Sequence, residues 1–394
     1  MLKQEAGAIN VLIVIPAIDR EGTTRVVMNQ INGFLEQGVN AYLLVIGPFN
    51  QEAFDESGST LPKHHMLQLK QPYTFLSTKA LLSIDGLIKP VSDFISDHQI
   101  DHVIAHTPYS HFLMRLVKML TVRKGIRFKL LQYFHSLQYK QFPLTKPSRN
   151  LFNAFNRQLA KSYDDAHISV SDAVRADVEE GLLKHNQHIV LLTPAPKTNA
   201  KETSVTLAAF ASEFTILLPG RLEHNKGQLF FLSVLAKLIE SERLTGKDIS
   251  LLLAGDGPQR ADIQSYVHAN QLNEYVHLAG QLSHPVLSST MKKADLVIVP
   301  SNYEGLPIIA LESLQVGALL FTSDAGGLKE VIKDRETGFL FKAGDSADCL
   351  QKLQMLYLNR SKTLIDPEVV KNDLNERFSF ENYMQKLMRI MHTL

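Results

Sequence analysis

The sequence predicts an α/β protein built from two domains, each with a doubly wound parallel sheet. Apolar runs rich in β-branched residues, such as 11–18, recur along the chain and alternate with amphipathic, helix-like segments. The alternation stops in a polar, proline-bearing stretch at 194–204 and then begins again. A chain of 394 residues is long enough for two cores of ordinary size. We therefore expect an N-terminal domain at 1–195, a C-terminal domain at 205–375, and a final helix at 376–394 that packs back toward the N-terminal domain.

Each strand is predicted from a short apolar run of the kind found in parallel strands that are buried on both faces. In the first half these runs lie at 11–18, 41–47, 101–108, 129–136, 166–171 and 188–194. In the second half they lie at 214–220, 249–255, 276–280, 294–301 and 318–323. Residues 48–64 are polar and loop-like, whereas 77–98 carries one long helical pattern. Because ligands bind at the carboxyl ends of strands in such sheets, functional residues are expected in the loops that follow strands.

Composition and charge exclude several classes of protein. The formal net charge is +1, so the field of the whole chain does not favour nucleic acid. The single cysteine, Cys349, excludes an internal disulfide framework and fits a reducing compartment. No apolar run precedes the first strand, and none reaches the roughly 18 to 20 residues of a membrane span. We therefore expect a cytoplasmic protein whose membrane contact, if any, is peripheral at the inner face.

The segment 302–313, NYEGLPIIALES, carries two carboxylates, one on each side of a predicted helix start. Glu304 lies on the turn after a strand, and Pro307 suits the first helical turn, where its missing N–H costs nothing. Glu312 lies inside the helix, where a carboxylate on an apolar face requires a partner. Because a helix start offers unpaired N–H groups to phosphate, the segment indicates an anion site flanked by carboxylates. Taken alone, the pattern also fits a solvated surface helix with two incidental glutamates.

Other strand ends in the second half carry residues suited to the same kind of ligand. Arg221 and Lys226 flank the loop after the first strand of this half and are placed to contact one phosphate group, Arg221 by a bidentate fork and Lys226 as a point charge. Gly255 permits close backbone approach, Leu282 follows a strand edge that offers contacts to a nucleobase, and Gly326–Gly327 offers free N–H donors before a helix. The alternative interpretation is a set of surface cations and simple tight turns.

Two residues of the first half are candidates for the same site. Gly22 follows the first strand, where a glycine lets backbone approach a ligand. His135 closes the run at 129–136, and a histidine at a strand end facing a cleft is a candidate for polar contact or proton transfer. A lone histidine is more commonly structural, so that alternative stays open at this point.

These motifs together resemble those of the retaining glycosyltransferases of family 4 (glycosyl transferases group 1). The matching elements are Gly220-Arg221 with Lys226, then Gly255-Asp256-Gly257, then VIVPSNYEGLPIIALES at 297–313, then AGGLKE at 325–330. Two glutamates with seven residues between them are the signature of that family. The match is specific over roughly 214–344 and looser over the first half. It implies the GT-B fold, in which two Rossmann-like domains with parallel sheets face each other across a cleft.

The resemblance also implies a role for each matching residue. Glu312 corresponds to the residue that binds the ribose of a nucleotide sugar, and Glu304 to the one that holds hydroxyls of the donor sugar. Arg221 and Lys226 correspond to the cations on the diphosphate, and His135 to the histidine near the reacting carbon. The residues expected in catalysis are therefore His135, Glu304, Arg221 and Lys226. Those expected to bind the donor are Gly22, Arg221, Lys226, Gly255, Leu282, Glu304, Gly305, Leu306, Ile308 and Glu312.

Similar enzymes move a hexose from a nucleotide sugar, here expected to be a UDP-sugar, to a glycan or lipid-linked acceptor in cell-envelope polysaccharide biosynthesis. They use no metal and no other cofactor, and are thought to react on one face of the sugar with the leaving phosphate assisting. Two departures concern Glu21, which stands where paired glycines are usual, and the ending LLTPAP before the linker. The alternatives are a sugar-nucleotide epimerase or hydrolase of the same architecture, and a non-catalytic nucleotide-sugar-binding protein.

A basic stretch lies in the N-terminal half. No acidic residue occurs between Asp101 and Asp164, and cations there are interleaved with aromatic side chains. The cations are Arg115, Lys118, Arg123, Lys124, Arg127, Lys129, Lys140, Lys146, Arg149, Arg157 and Lys161. Such a surface suits an anionic membrane or an anionic acceptor, and our hypothesis is membrane contact through 112–161 without nucleic-acid binding. The alternative is a solvated face whose acidic partners come from elsewhere in the chain.

Overall fold

A computed structural model describes residues 9–73, 75, 77–141, 147–183, 189–194, 211–362 and 364–394. The chain forms two compact units, each with its own sheet. Unit 1 comprises Met1–Pro194 and Phe380–Leu394, and unit 2 comprises Ala195–Ser379. Of the stretch expected to link the domains, 194–204, only Pro194 lies within the described residues.

Within the described part of unit 1, seven parallel strands form one sheet in the order β3-β2-β1-β4-β5-β6-β7. The strands are β1 (Asn10–Ile15), β2 (Asn40–Val45), β3 (Met66–Gln68), β4 (His102–His106), β5 (Lys129–Phe134), β6 (Ala166–Ser169) and β7 (Ile189–Leu191). The helices are α1 (Gly22–Glu36), α2 (Gln51–Glu56), α3 (Thr78–Leu82), α4 (Asp85–Asp97), α5 (Thr107–Thr121), α6 (Gln138–Gln141), α7 (Pro147–Tyr163), α8 (Asp172–Val178) and α16 (Phe380–Thr393). Leu12, Ile13 and Val14 of β1 are fully buried, as expected for a central parallel strand with both faces covered.

Helix α16, the last of the chain, packs into unit 1. Its apolar face buries Met384 against Gly33 of α1, where an added Cβ would lie 2.8 Å from the Met384 side chain. Gln30 of α1 donates to the Tyr383 hydroxyl at 2.5 Å, and that hydroxyl lies 3.2 Å from the hydroxyl of Tyr133 in β5. A buried polar network therefore connects the end of the chain to the central sheet of unit 1.

Unit 2 has a parallel sheet of six strands among its described residues, in the order β10-β9-β8-β11-β12-β13. The strands are β8 (Thr215–Pro219), β9 (Ser250–Ala254), β10 (Val276–Gly280), β11 (Leu296–Val299), β12 (Leu320–Ser323) and β13 (Phe339–Phe341). The helices are α9 (Gln228–Glu242), α10 (Arg260–Ala269), α11 (His284–Lys293), α12 (Ile308–Gln315), α13 (Leu328–Val331), α14 (Ser346–Leu358) and α15 (Pro367–Arg377). The core contains Phe231, Leu251 and Phe321, each fully buried.

The order of strands reverses once in each sheet, and these switch points locate the crevices. In unit 2 the chain runs outward from β8 through β9 to β10, and then returns to place β11 on the other side of β8. In unit 1 the reversal lies between β1 and β4. The loops after β8 and β11 therefore border the crevice where ligands bind in sheets of this type.

Two local predictions of secondary structure were wrong, and two short strands were missed. Residues 48–64 were expected to be a loop, but they contain α2, whose cap residue Asn50 accepts a hydrogen bond from Ala53 N. The single helix expected at 77–98 is broken between α3 and α4, where the Ser83 hydroxyl bonds back to Ala80 O and competes with helical pairing. Strands β3 and β13 have only three residues each, which is too short for an apolar run to indicate a strand.

Candidate active site

The loop after β8 carries Arg221 and is fixed from inside the unit. Leu222 is fully buried, and the buried amide of Gln228 donates to Arg221 O at 2.7 Å. The Arg221 side chain is 50% exposed, and its Nη2 lies 2.8 Å from Glu223 Oε1. A surface ion pair of this kind contributes little to stability, so the guanidinium can exchange its partner for a phosphate at small cost.

The turn after β11 carries Glu304, whose carboxylate is held by two neighbours. Lys226 Nζ lies 2.6 Å from Glu304 Oε1, and the Ser301 hydroxyl donates to the same oxygen at 2.7 Å. The Glu304 side chain is only 11% exposed, against 27% for Lys226. The structure thus brings together two residues predicted for different parts of the ligand, and it adds Ser301, which the sequence interpretation missed.

Backbone contacts tie this turn to the loop after β8. Asn302 N donates to Asn225 O at 2.8 Å. Gly227, at φ 71, packs so closely that an added Cβ would lie 2.0 Å from Pro300 O. The Ser323 hydroxyl at the end of β12 donates to Ser301 O at 2.6 Å. Three neighbouring strands therefore fix one small region around Glu304.

The Gly326–Gly327 turn packs against the Glu304 turn from the other side. An added Cβ would lie 2.0 Å from Glu304 O at Gly326 and 2.1 Å from Gly305 O at Gly327. Gly327 N also donates to Glu304 O at 3.1 Å. The expectation that this pair offers free N–H donors to a ligand is therefore wrong for Gly327, since its N–H is already used. The two glycines allow the backbone of this turn to pack directly against the backbone of the Glu304 turn.

Glu312 is buried inside α12 and has a histidine partner. His284 Nε2, in the first turn of α11, lies 3.3 Å from Glu312 Oε1, and the Glu312 side chain is 6% exposed. The predicted need for a partner to this buried carboxylate is met in part by His284, which periodicity did not single out. Pro307 was expected inside the first helical turn, but it is the cap residue and α12 begins at Ile308. The helix start leaves the first amides of α12 without intrahelical acceptors.

The remaining donor-site candidates of unit 2 line the same edge of the sheet. Gly255 follows β9 and packs on the backbone of Gly220, where an added Cβ would lie 1.9 Å from Gly220 O. Leu282 is half-buried between the end of β10, where Gly280 has φ 71, and the start of α11. Gly305 is buried beside Glu304, and Leu306 is half-buried. Their roles toward a ligand stay predictions.

Unit 1 carries the other two candidates, Gly22 and His135. Gly22 is the first residue of α1, and its turn is braced by Asp19, which accepts from Glu21 N and from the Thr24 hydroxyl, each at 2.9 Å. His135 directly follows β5 and is half-buried. Its Nε2 lies 2.7 Å from Nδ1 of His106 at the end of β4, a residue that sequence reasoning missed.

Both rings of this histidine pair are neutral. Burial, together with nearby His135 and His111, lowers the pKa of His106 well below its ordinary value. Burial also lowers the pKa of His135 to about 3. A histidine at the end of the predicted strand HVIAH was a signal for His106 in the sequence. The carboxyl ends of neighbouring parallel strands lie at one edge of a sheet, so His106 could be expected near His135.

Part of the basic stretch is internal to unit 1. Arg115 is buried and lies 2.6 Å from Asp164, and Lys118 pairs with Asp165. Burial by itself raises the pKa of Asp164, but Arg115 and His167 outweigh burial and lower that pKa to about 2. For these two cations the acidic partners do come from outside the stretch, as the alternative interpretation expected, but Arg115 is buried and does not lie on a solvated face.

Other cations of the stretch are exposed. Arg123, Lys124, Arg127 and Lys161 lie on the surface, and Leu120 and Val122 beside them are also exposed. Lys146 lies outside the described residues, as do the side chains of Lys140 and Arg149. None of the helices in the described part of the chain combines the length and the apolar character needed to cross a bilayer. Those described residues also contain no group of three or more metal-ligating side chains.

Two family models match the chain. Glycosyltransferase Family 4 matches residues 20–194, and Glycosyl transferases group 1 matches residues 200–368. Among curated proteins, alpha-D-kanosaminyltransferase of Streptomyces kanamyceticus is 31% identical over 141 residues, which cover 35% of this chain and 36% of that protein. Glycogen synthase of Mycobacterium tuberculosis is 32% identical over 123 residues, covering 31% of this chain and 29% of that protein. The chain thus matches about a third of the length of these relatives.

Solved structures resemble the whole chain. Sucrose-phosphate synthase from Thermosynechococcus elongatus superposes with a TM-score of 0.75 at 17% identity, covering 98% of both chains. HepE of Anabaena, in complex with UDP, superposes with a TM-score of 0.75 at 17% identity, covering 98% of this chain and 100% of that one. At such identity the likeness shows the fold alone, and it confirms the predicted fold class.

Proposed function

The chain belongs to the GT-B glycosyltransferases of family 4, and from this premise we propose that it moves a hexose-type sugar from a nucleotide sugar to a glycan or lipid-linked acceptor. The proposed donor is a UDP-sugar, since HepE, a protein of the same fold, holds UDP. The observation that carries the proposal is the cluster of Lys226, Glu304 and Ser301 at the switch point of unit 2. It joins a cation suited to phosphate and a carboxylate suited to sugar hydroxyls on a braced turn.

Breaking the bond between sugar and phosphate develops negative charge on the departing diphosphate. Lys226, Arg221 and the first amides of α12 provide positive charge and N–H donors at this edge of the sheet. Groups that are already oriented stabilise such charge without reorganising during the reaction. A bound diphosphate would take Lys226 from Glu304 and free one oxygen of Glu304 for a sugar hydroxyl. The Ser301 hydroxyl would keep the carboxylate in place during this exchange.

Glu312 has a separate proposed role, in binding the ribose. Its carboxylate is buried within α12, and His284 Nε2 lies 3.3 Å from Glu312 Oε1. Paired ribose hydroxyls suit a fixed carboxylate, which accepts hydrogen bonds at both oxygens. We further propose that the reaction retains the anomeric configuration and that it requires no metal, in line with the family.

Product analysis tests the proposal. The purified chain is incubated with UDP-, GDP- and ADP-sugars, first alone in a melting-temperature panel and then with candidate acceptors. A ligand that binds only the folded state raises the melting temperature, so the correct donor is identified before an acceptor is known. Free nucleoside diphosphate together with a new glycoside supports transfer. An altered free sugar without a glycoside would instead support an epimerase or hydrolase, and binding without turnover would support a binding protein.

For the acceptor side we propose peripheral contact with an anionic membrane, at the inner face and in cell-envelope polysaccharide biosynthesis. The end of α5 and the segment after it present Leu120 and Val122 beside Arg123, Lys124 and Arg127, and all five are exposed. Each well-placed cation adds about 1 kcal/mol toward an anionic surface.

Vesicle flotation tests the membrane contact. Anionic vesicles should carry the chain at low salt, whereas the triple variant Arg123→Ser, Lys124→Ser, Arg127→Ser should lose most of that binding. Raised salt should act in the same direction on the unaltered chain, because exposed charges are screened. Equal flotation with anionic and neutral vesicles would contradict the membrane proposal and leave the transfer proposal intact.

A further inference from the structure

Two histidines meet at the carboxyl edge of the unit 1 sheet. His106 ends β4 and pairs in register with Tyr133 of the neighbouring strand β5, while His135 directly follows β5. The distance from His106 Nδ1 to His135 Nε2 is 2.7 Å. The Tyr133 ring stacks on both imidazoles, at centroid distances of 4.9 Å. The two rings are therefore held in one relative orientation.

A hydrogen bond between two imidazole nitrogens requires one N–H and one lone pair, so the tautomers of the two residues are coupled. Either His106 donates from Nδ1 and His135 carries its proton on Nδ1, or His135 donates from Nε2 and His106 carries its proton on Nε2. The two arrangements present opposite chemistry at the free nitrogen of His135. One offers an N–H donor, and the other offers a lone pair.

The environment of His106 Nε2 distinguishes the arrangements. This nitrogen is buried and has no hydrogen-bond partner among the residues that the structure describes. A buried N–H group without a partner is rarer than a buried lone pair without one. His106 is therefore protonated on Nδ1 and donates to His135 Nε2. His135 then carries its own proton on Nδ1.

His135 is not fully enclosed by the protein. The residue is half-buried at the end of β5. The neighbouring backbone is strained, because Thr107, a β-branched residue, has φ 71. Strain of this kind concentrates at functional sites. The pair thus lies where a ligand approaches, at the carboxyl ends of parallel strands.

We propose that His106 is a positioning residue that fixes His135 as a neutral Nδ1–H donor, so that His135 donates a hydrogen bond to an oxygen of the donor sugar and does not act as a base. This inference rests on the proposed function and on the role near the donor sugar that the family resemblance implies for His135. It replaces proton transfer, one of the two roles considered for His135, with polar contact. Neither ring gains or loses a proton in this role.

Nitrogen NMR of the histidine rings in the full-length chain tests the tautomers directly. The two ring nitrogens of a neutral histidine give distinct shifts and two-bond proton couplings, and His135→Gln and His106→Asn assign the signals. We expect both residues to be protonated on Nδ1. Protonation of His135 on Nε2 would overturn the inference, whatever the activity measurements show.

Matched variants test the functional consequence. His106→Leu keeps a side chain of comparable bulk but removes the donor, whereas His106→Asn retains an N–H donor near the position of Nδ1. We expect His106→Leu to lower kcat by about 10-fold to 100-fold, as loss of a group that orients a histidine commonly does, with unchanged affinity for UDP. His106→Asn should restore most of kcat. His102→Leu, at the other end of β4, is the control and should keep wild-type kcat.

The outcomes separate this inference from the proposed function. Wild-type kcat in His106→Leu, together with a large loss in His135→Ala, would overturn the role of His106 alone. Wild-type kcat in His135→Ala would overturn the role of His135, and with it this inference, but would leave sugar transfer intact. Absence of transfer by the unaltered chain would refute the proposed function, while the NMR result would still decide the tautomers. If His106→Leu melts far below wild type, the rescue by His106→Asn and the NMR of the unaltered chain carry the test.

Discussion

Replacing Gly326 with alanine should displace the turn that carries Glu304. The added Cβ would lie 2.0 Å from Glu304 O and 3.2 Å from Glu304 N, so backbone must move by about 1 Å before ordinary contact distances are restored. A misplacement of about 1 Å costs a catalytic site about 100-fold in rate. Gly326 also has φ 54, a left-handed conformation that costs alanine about 1 kcal/mol. We expect both effects in Gly326→Ala.

Two further glycines separate the effects. Gly317 has φ 78 and nothing within 4 Å of an added Cβ, so Gly317→Ala introduces strain without collision. Gly327 has φ −70, and its added Cβ would lie 2.1 Å from Gly305 O, so Gly327→Ala introduces collision without strain. Each variant is assayed for kcat/KM with the donor and for melting temperature. Gly317→Ala should lose about 1 kcal/mol of stability but keep its activity, whereas the other two should lose about 100-fold in kcat/KM.

Wild-type turnover by Gly326→Ala would refute this prediction. That result would show that the position of the Glu304 turn does not limit transfer. An equal loss of activity in Gly317→Ala and Gly326→Ala would also refute the prediction, since backbone strain alone would then account for the loss. A folded Gly326→Ala chain with bound nucleotide but little turnover is the expected result.

Three other predictions follow from the contacts described. Glu312→Ala should weaken UDP affinity, whereas Glu304→Ala should mainly lower kcat, and unchanged kinetics in both variants would refute the site assignment. Beside Arg115, the pKa of Asp164 is lowered from 3.8 to about 2. The ionised carboxylate therefore contributes about 2 kcal/mol to stability above the unfolded pKa, and this contribution is lost as pH falls from about 4 toward 2. Asp164→Asn should flatten that acid limb in melting temperature, and an unaltered limb would contradict the assignment. Burial raises the pKa of the Cys349 thiol to about 12, so thiol reagents at neutral pH should label it only as unit 2 unfolds, and rapid labelling of the native chain would contradict its burial.

Periodicity could predict the sheets because burial on both faces imposes it. The run at 11–18 covers all of β1 but its first residue, and the run at 294–301 contains β11, since a central parallel strand buries the side chains of both faces. The break between α3 and α4 was missed because the apolar spacing continues through it. At the break, the Ser83 hydroxyl donates to Ala80 O and competes with the helical hydrogen bonds. Such local competition does not change the spacing of apolar residues.

The candidate site could be predicted where residues are close in sequence and only partly where they are distant. Glu304 and Glu312 share one segment, and their placement at a helix start and inside a helix followed from propensity. The partner of Glu312, His284, is 28 residues away and meets it only because α11 and α12 are packed together. His106 and His135 are 29 residues apart and meet because β4 and β5 are neighbours. Strand order, which no local pattern encodes, decided both contacts.

The central claim is that the Lys226–Glu304 cluster is where a nucleoside diphosphate binds. A crystal structure of the chain with UDP, or with the diphosphate that the melting panel selects, measures this directly. We predict that Lys226 Nζ leaves Glu304 Oε1, from which it now lies 2.6 Å, and contacts a phosphate oxygen, with the ribose on Glu312. A diphosphate bound elsewhere, with Lys226 still on Glu304, would contradict the account.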